Sequence, residues 1–287
     1  MKVGFVALVG RSNTGKSTLL NALVGSKIAI TTPKPQTTRQ AIQGVYHSNE
    51  GQIIFVDTPG VFRKRRDALT NRMNQAARGA LEGVDLVLYV VDPTRAIGEE
   101  EEDIMDLVRD VKSQKILVIN KIDEPRPKYI EDYRALSSDF AVTVEISALK
   151  GTHLKTLTKE VFSRLPEGEA VYPEHQITNL DNKTWYSELI REKLFMALHQ
   201  EVPYTVAVEI DEIEKRPTKR GGKEMLYIKA RILTDSDQHK RMIIGAGGQK
   251  IRDVGTATRK ELEHIQGEPV FLDLEVVTDP HWPERMQ

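Results

Sequence analysis

The sequence predicts an α/β unit, a mostly parallel sheet with helices on both faces, followed by a smaller α+β unit. Three observations carry this. From Val3 to about Leu165, short apolar runs alternate with longer amphipathic stretches, as in a parallel sheet buried on both faces. A stretch rich in Pro, Gly and Glu, Pro166-Glu167-Gly168-Glu169 with Pro173 beyond, then breaks the alternation. Past it, the elements follow the order α-β-β-α-α-β.

In the first unit, strands are expected at Val3–Val9, Gln52–Val56, Asp85–Val91, Lys115–Ile119 and Val142–Ile146. Helical spacing of apolar residues places helices at Ser17–Val24, Asp67–Ala80, Glu100–Val111, Ile130–Ser138 and Leu154–Arg164. The boundaries follow as 1–166 for this unit, 167–180 for a linker and 181–287 for the second. There, a helix (Lys183–Gln200), a strand (Tyr204–Glu214), a basic loop (Lys215–Lys223) and a strand (Glu224–Thr234) are expected. A short helix, a Gly-rich turn, a helix (Lys250–Ile265) and a last strand (Val270–Val276) complete it. Tyr204, Tyr227 and Phe271 fall on strands, where core packing is expected. Trp185 and Phe195 lie on the opening helix, as core or inter-unit contacts.

Composition narrows the chemistry. With 287 residues, 39% apolar and 29% charged, the chain can bury two cores and is not disordered as a whole. Lys+Arg (41) and Asp+Glu (42) balance, so overall charge gives no ground for a nucleic-acid partner. The absence of Cys excludes disulfides and thiolate chemistry, and the seven His show no metal-ligand spacing, so no structural metal is expected. No apolar run reaches the roughly 18–20 residues that span a bilayer. The apolar start ends in a Gly/Lys loop instead of a cleavage site, so it is taken as the first strand.

The segment from Gly10 to Ser17 (GRSNTGKS) matches G-x-x-x-x-G-K-[ST] between a strand and a helix. Glycines let backbone N–H groups curl around a β-phosphate, and the helix N-terminus adds partial positive charge. Gly10, Asn13, Thr14, Gly15, Lys16, Ser17 and Thr18 are the candidate phosphate-binding residues, with Lys16 reaching the β/γ oxygens and Ser17 ligating Mg²⁺. Asp57-Thr58-Pro59-Gly60 ends a strand, where Asp57 can hold Mg²⁺ through water and the Gly60 N–H can sense a γ-phosphate. Asn120-Lys121-Ile122-Asp123 ends another, and the Asp123 carboxylate accepts from guanine N1–H and N2–H₂, donors that adenine lacks. After the fifth strand, Ser147-Ala148 offers a backbone N–H to guanine O6. Each motif alone is weak, but four in this order at strand ends point to a P-loop GTPase binding GTP or GDP.

On these motifs the first unit resembles the translation-factor-related GTPases. Its Pro35-Gln36-Thr37-Thr38-Arg39 segment is similar to switch I of the Era subgroup. The resemblance implies that Thr38 ligates Mg²⁺ only in the GTP state, with Thr37 as the neighbouring alternative; Lys16, Thr38 and Gly60 are then the residues closest to the chemistry. Val61 stands where Ras-like enzymes carry a water-orienting Gln. The subgroup with a hydrophobic residue there is slow alone, and some members bind K⁺ through a P-loop Asn, the place of Asn13. Arg11, Arg39 and the run Arg63–Arg66 could also supply charge, with a solvated loop the plainer account of that run.

In the second unit, Gly245-Ala246-Gly247-Gly248 forms G-x-x-G between two helical stretches, with Ile244 and Ile251 flanking it. Such a turn, poor in side chains, lets N–H groups and a helix N-terminus meet phosphates of single-stranded nucleic acid. Residues 215–260 hold thirteen Lys/Arg against four Asp/Glu, although seventeen face twenty beyond residue 173. This unit resembles a type II KH domain. Gly245, Ala246, Gly247, Gly248, Lys250, Arg252 and Arg241 are its candidate RNA contacts.

The order of a GTPase unit and a KH unit resembles the Era family of bacterial GTPases across essentially the whole chain. The resemblance implies a GTP-hydrolysing switch of small (30S) subunit assembly and 16S rRNA maturation that binds the rRNA 3′ end and is stimulated by RNA and K⁺. It implies a monomer without a DNA partner, cytoplasmic, with peripheral contact at the inner face of the cell membrane. Two other functions stay open here: a nucleotide-gated RNA-binding module with little turnover, and a GTPase of another ribosome or tRNA pathway. The acidic tail, Thr278–Glu284, departs from the basic residues many relatives carry near the last strand.

Overall fold

The computed structural model describes residues 1–34, 37–59, 75–199, 202–217 and 224–285, divided into units Met1–Leu180 and Asp181–Gln287. In the first unit the strands are β1 (Lys2–Val9), β2 (Ile42–Ser48), β3 (Gly51–Asp57), β4 (Leu86–Val91), β5 (Gln114–Ile119) and β6 (Val142–Glu145). They form one sheet in the order β2-β3-β1-β4-β5-β6. All pair in parallel except β2, which is antiparallel to β3. The described helices are α1 (Lys16–Val24), α2 (Glu99–Arg109), α3 (Ile130–Arg134) and α4 (Leu154–Phe162). Residues 75–79 are helical too; the earlier part of the expected Asp67–Ala80 helix lies outside the described residues.

The strands read as unbroken apolar runs because both faces are covered. Along β1, Val6 and Leu8 face Leu19 and Leu20 of α1 and Leu157 and Val161 of α4. Ala7 and Val9 face Ile104, Met105 and Val108 of α2 and Tyr133 of α3. Such a sheet opens its ligand crevice at the strands' C-terminal ends.

Strand β2 was not expected from the sequence. It is an edge strand whose IQGVYHS run mixes polar residues and Gly44 with the apolar ones, so its alternation is weak. The readable signal was the turn Ser48-Asn49-Glu50-Gly51, which closes the β2–β3 hairpin with Ser48 paired to Gly51. Residues of the expected linker bond to this part of the sheet. The Gln52 amide takes the Val171 N–H (2.8 Å) and Tyr172 N–H (3.0 Å) on its oxygen and donates to the Tyr172 carbonyl (2.8 Å). The Val45 N–H donates to the Ile177 carbonyl at 2.9 Å.

The second unit has α5 (Asn182–Ala197), β7 (Val206–Pro217), β8 (Glu224–Thr234), α6 (Asp237–Ile244), α7 (Gln249–Gln266), β9 (Val270–Thr278) and a short α8 (Trp282–Arg285). The sheet order is β7-β8-β9, antiparallel between β7 and β8 and parallel between β8 and β9. Leu189, Ile190 and Leu194 of α5, Ile243 of α6 and Val254 and Leu262 of α7 pack on Ile228, Ala230 and Ile232. Asp181 caps α5, accepting the Thr184 N–H at 2.8 Å.

Three expectations change here. Tyr204 is not on a strand but in a 3-10 turn, Val202–Thr205, where Pro203 fixes its own φ and lacks the N–H a ladder needs. Its ring meets Phe195 edge-on at 5.7 Å. Lys215, Arg216 and Pro217, expected in a loop, extend β7 opposite Leu226, Met225 and Glu224; residues 218–223 lie outside the described residues. Tyr227 and Phe271 are paired across β8 and β9, off the core, and Phe271 is 51% exposed.

Candidate nucleotide site and nucleic-acid interface

The loop from Gly10 to Gly15 joins β1 to α1. The Lys16 ammonium is buried and donates to the Gly10 (2.7 Å) and Arg11 (2.8 Å) carbonyls. Burial pulls its pKa below the ordinary lysine value, against the opposing pull of Asp57 and Glu101. Gly15 has φ 94°, and a Cβ there would lie 2.3 Å from the Asn120 amide nitrogen, so only glycine fits. Thr14 is buried, its hydroxyl bonded to the Arg11 carbonyl at 3.1 Å. Asn13 donates its amide to the Pro33 carbonyl at 2.7 Å. Thr18 lines the same cleft as Lys16 and Thr38.

Three oxygens converge from three elements. The Ser17 hydroxyl donates to Asp57 Oδ2 at 2.6 Å, and the Thr38 hydroxyl lies 3.1 Å from Ser17 Oγ and 3.4 Å from Asp57 Oδ2. Asp57 is fully buried, which raises its carboxyl pKa against the opposing effect of Lys16 and the two hydroxyls. Its Oδ1 is buried without a hydrogen-bond partner among the described residues. A hard, all-oxygen set with an orphaned carboxylate oxygen fits Mg²⁺. Thr37 points elsewhere, to Thr32 Oγ1 (2.7 Å) and the Lys34 carbonyl (2.8 Å). Of the two threonines, Thr38 is therefore the one placed at this cluster. Pro35, Gln36, Gly60, Val61 and the run Arg63–Arg66 lie outside the described residues.

The base side is held from the ends of β5 and β6. Asn120 donates to the Thr14 carbonyl (2.8 Å) and accepts the Ala148 N–H (2.9 Å), locking the P-loop to both loops. The Ala148 N–H, expected to reach a base carbonyl, is thus engaged, and a guanine O6 must share or replace that bond. Ser147 donates to Asp123 Oδ1 at 2.5 Å, while Asp123 itself is exposed toward solvent. Lys121 pairs with the buried Asp92 at 2.6 Å. Burial alone would raise the Asp92 carboxyl, but hydrogen bonds from Lys121 and Thr94 hold it below its usual value. Asp92 was missed by sequence reasoning, although it stands just past the C-terminal end of β4, as Asn120 does past β5, and Asp57 closes β3.

Arg11 does not supply charge to the cleft. Its guanidinium turns inward onto Glu101 (2.9 Å), the Ala96 (3.1 Å) and Arg95 (3.4 Å) carbonyls and the Tyr133 hydroxyl (3.1 Å). Both Glu101 oxygens are taken, by the Tyr89 hydroxyl at 2.5 Å and the Tyr133 hydroxyl at 3.0 Å. Burial, then the neighbouring Glu101, pushes both phenols well above their ordinary pKa, so they stay donors. This cluster braces the P-loop from behind.

In the second unit, α6 ends at Ile244 with Gly245 as its C-cap, and α7 starts at Gln249, with Ala246–Gly248 a tight turn between them. Gly247 (φ 58°) and Gly248 (φ 74°) point their α-carbons into open space. Beside the turn runs a groove of about 650 Å³ between α7 and β9, lined by Ile251, Arg252, Gly255, Arg259, Leu272 and Leu274 among others. Arg241 and Arg252 are exposed and Lys250 half-buried, and none of the three forms an ion pair among the described residues. Other cations of the basic stretch are bound to acids: Lys215 to Glu268 (3.1 Å), Arg216 to Glu214 (2.9 Å), Arg231 to Asp211 (2.9 Å) and Arg259 to Glu263 (3.1 Å). The local excess of Lys and Arg is therefore partly cancelled by acids outside residues 215–260; among the described residues, Lys229, Lys240 and Lys260 also form no ion pair, so the uncompensated charge includes the three cations by the glycine turn but is not confined to it.

Comparison with known proteins agrees with both halves. The model of a 50S ribosome-binding GTPase family matches residues 5–121, and that of the KH domain matches residues 201–281. The GTPase Era of Halothermothrix orenii is 40% identical over 287 residues, covering 99% of this chain and 95% of that protein. The GTPase Era of Aquifex aeolicus is 41% identical, with 99% and 96% covered. Among solved structures, an Aquifex aeolicus Era variant bound to GDP·AlF4⁻ superposes with a TM-score of 0.91 at 40% identity, covering 100% of this chain and 97% of that one. An Era complex with MgGDPNP and nucleotides 1506–1542 of 16S ribosomal RNA matches equally well, TM-score 0.91 at 40% identity, with 100% and 96% covered. Sharing one fold and about two residues in five with these proteins from end to end, the chain belongs to the Era family of GTPases.

Proposed function

We propose that this chain is a GTP-binding, GTP-hydrolysing, RNA-binding switch acting in small (30S) ribosomal subunit assembly and 16S rRNA maturation through the rRNA 3′ end. What supports it most is the convergence of Ser17, Thr38 and Asp57 beside Lys16, in a chain that also carries a glycine turn with unpaired cations. In this reading Lys16 exchanges its two carbonyl partners for β/γ-phosphate oxygens. Ser17 and Thr38 ligate Mg²⁺ and Asp57 holds it through water, while the Gly60 N–H meets the γ-phosphate. Asn120, Lys121, Asp123, Ser147 and Ala148 select guanine. Mg²⁺, when bound, neutralises charge on the β- and γ-oxygens. Thr38 comes from the segment just ahead of β2, so losing the γ-phosphate frees that segment, the physical basis of an order–disorder switch. Gly245–Gly248, Lys250, Arg252 and Arg241 hold the RNA backbone. In this reading the protein is a monomer that works in the cytoplasm, with peripheral contact at the inner face of the cell membrane.

The threonine pair gives a sharp test. Thr38→Ala should reduce the preference for a non-hydrolysable GTP analogue over GDP in Mg²⁺ by about tenfold, the scale of one neutral oxygen's contact with a charged group, whereas Thr37→Ala should stay within about twofold. Titration calorimetry would show this, and equal effects would remove Thr38 from the metal site.

The whole reading is tested by steady-state GTP hydrolysis in K⁺ buffer, with and without RNA of the 16S 3′ end. A slow basal rate should rise severalfold with that RNA and not with a scrambled one. Gly247→Asp with Gly248→Asp should abolish the RNA response and leave GTP binding intact. Both new carboxylates project into open space, where the phosphates run, and Asp tolerates positive φ better than most residues. An undiminished response in this variant would refute the glycine turn as the RNA contact.

A further inference from the structure

We propose that Phe271 is a stacking platform for one nucleobase of the bound RNA strand, at the end of the α7–β9 groove opposite the glycine turn. The inference rests on the reading of that groove as the RNA site and adds an aromatic contact at its far lip.

The ring belongs to a built stack. Tyr227 and Phe271 are partners across β8 and β9, with ring centroids 5.8 Å apart and planes only 11° from parallel. The Arg216 guanidinium covers Tyr227 at 3.4 Å from the ring centroid, and is itself held by Glu212 (2.5 Å) and Glu214 (2.9 Å). The Tyr227 hydroxyl donates to Asp273 at 3.2 Å. Arg216, Tyr227 and Phe271 thus follow one another across β7, β8 and β9. Since β9 is the sheet's edge, Phe271 ends the row with about half its surface in water. Elsewhere the chain covers the same side of the sheet: Trp282 packs on Ala207, Leu233 and Val277 and donates to the Thr205 carbonyl at 3.1 Å. The Phe271 end is left open.

Position ties the ring to the groove. Phe271 lines it together with Leu272 and Leu274, although on a strand it points to the opposite face from them. Helix α7 and strand β9 are joined at Gly267, so the strand's first residues lie by the helix's last turns. Gly248 and Arg259 both line the groove, and the helical rise separates them by about 16 Å, room for a few nucleotides. Near the Phe271 end, Arg259 pairs with Glu263 (3.1 Å), which also accepts the Val270 N–H (3.3 Å). The groove therefore offers backbone N–H groups and cations at one end, and at the other a half-exposed π-face on the edge strand, with Arg259 on the facing helix. A single strand that gives its phosphates to the turn can lay a base on Phe271, and stacking of this kind tolerates any base.

The test uses the full chain and RNA of the 16S 3′ end. Phe271→Ala should weaken binding about tenfold, Phe271→Leu nearly as much, and Phe271→Trp should stay within about twofold of the parent. An RNA series with one abasic nucleotide, moved along the strand, should contain one position at which the abasic lesion and Phe271→Ala fail to add. If Phe271→Ala and Phe271→Leu both bind within about twofold of the parent, or couple to no position, the platform is refuted. That result would leave the half-exposed ring to some other ligand. Gly247→Asp with Gly248→Asp, measured alongside, separates the two ideas. Lost binding there with an unaffected Phe271→Ala removes only the platform, and undiminished binding removes the groove reading beneath it.

Discussion

Asp123→Asn is expected to lower GTP affinity by roughly 10²–10⁴-fold and to create affinity for xanthosine triphosphate. The carboxylate is exposed at the end of β5, with Oδ1 fixed by Ser147 at 2.5 Å and Ser147 in turn taking the Lys150 N–H at 3.0 Å. Held this way, it faces two adjacent guanine donors, N1–H and N2–H₂. A charge-assisted bond contributes about 1.5–3 kcal/mol; the variant loses the one to N2–H₂, sets two donors against each other there and loses the charge on the one to N1–H, which together give the range above. An amide in its place can accept from N1–H but turns its NH₂ against the guanine amino group. Xanthine carries a carbonyl there, so the same amide meets it donor to acceptor. The Asn oxygen can still accept from Ser147, so the fold should be unaffected. Competition between GTP and XTP against a fluorescent GDP decides the matter; unchanged GTP affinity would take Asp123 out of the base site.

What was legible in the sequence is what local chemistry dictates. The P-loop, the Asp57 and Asn120 motifs and the Ser147-Ala148 pair each sit at a strand end, and strand ends were readable because buried parallel strands are continuous apolar runs. The order of elements in the second unit was readable from a different signal, the alternation along half-buried strands such as β8 and the helical spacing between them. The strand β2 was not, because an edge strand with Gln43, Gly44 and His47 in it has no strong period. The faces of Tyr227 and Phe271 were not either: a single aromatic on a strand does not say which side it takes, and only the register with β8 does. Local charge misled in the same way. Lys215, Arg216, Arg231 and Arg259 look like a basic surface along the chain, yet the fold brings acids from β7, α7 and the turn after it onto them.

The hardest residue to read was Glu101, and its removal should have the largest effect on stability: Glu101→Ala is expected to destabilise the first unit by about 3–5 kcal/mol. In the run Glu99-Glu100-Glu101-Glu102 it looks like one more solvated acid at a helix start, favourable to the dipole. Its helical phase says otherwise, since Ile104, Met105 and Val108 lie three, four and seven residues on, along the stripe that α2 buries. The fold encloses it completely, with Arg11 and two tyrosine hydroxyls as donors. Taking away the carboxylate leaves a buried guanidinium without its counter-charge and the Tyr89 hydroxyl without its acceptor, while the Tyr133 hydroxyl can turn to the Arg95 carbonyl at 3.2 Å. Replacing the pair together, Arg11→Met with Glu101→Leu, should restore part of the loss, because apolar groups of similar volume need no partner, while the buried Tyr89 hydroxyl still lacks its acceptor. The binding readout should move the other way. Arg11 ties the P-loop to the carbonyls of Arg95 and Ala96, and the doubly apolar protein loses that brace. It should unfold between Glu101→Ala and the parent yet gain less stabilisation from GDP than the parent, since ligand-induced stabilisation follows affinity. Thermal unfolding of the three proteins with and without saturating GDP separates the effects. A Glu101→Ala variant as stable as the parent would mean that the buried pair holds nothing together. A double variant with the parent's full response to GDP would mean that the P-loop keeps its shape without Arg11.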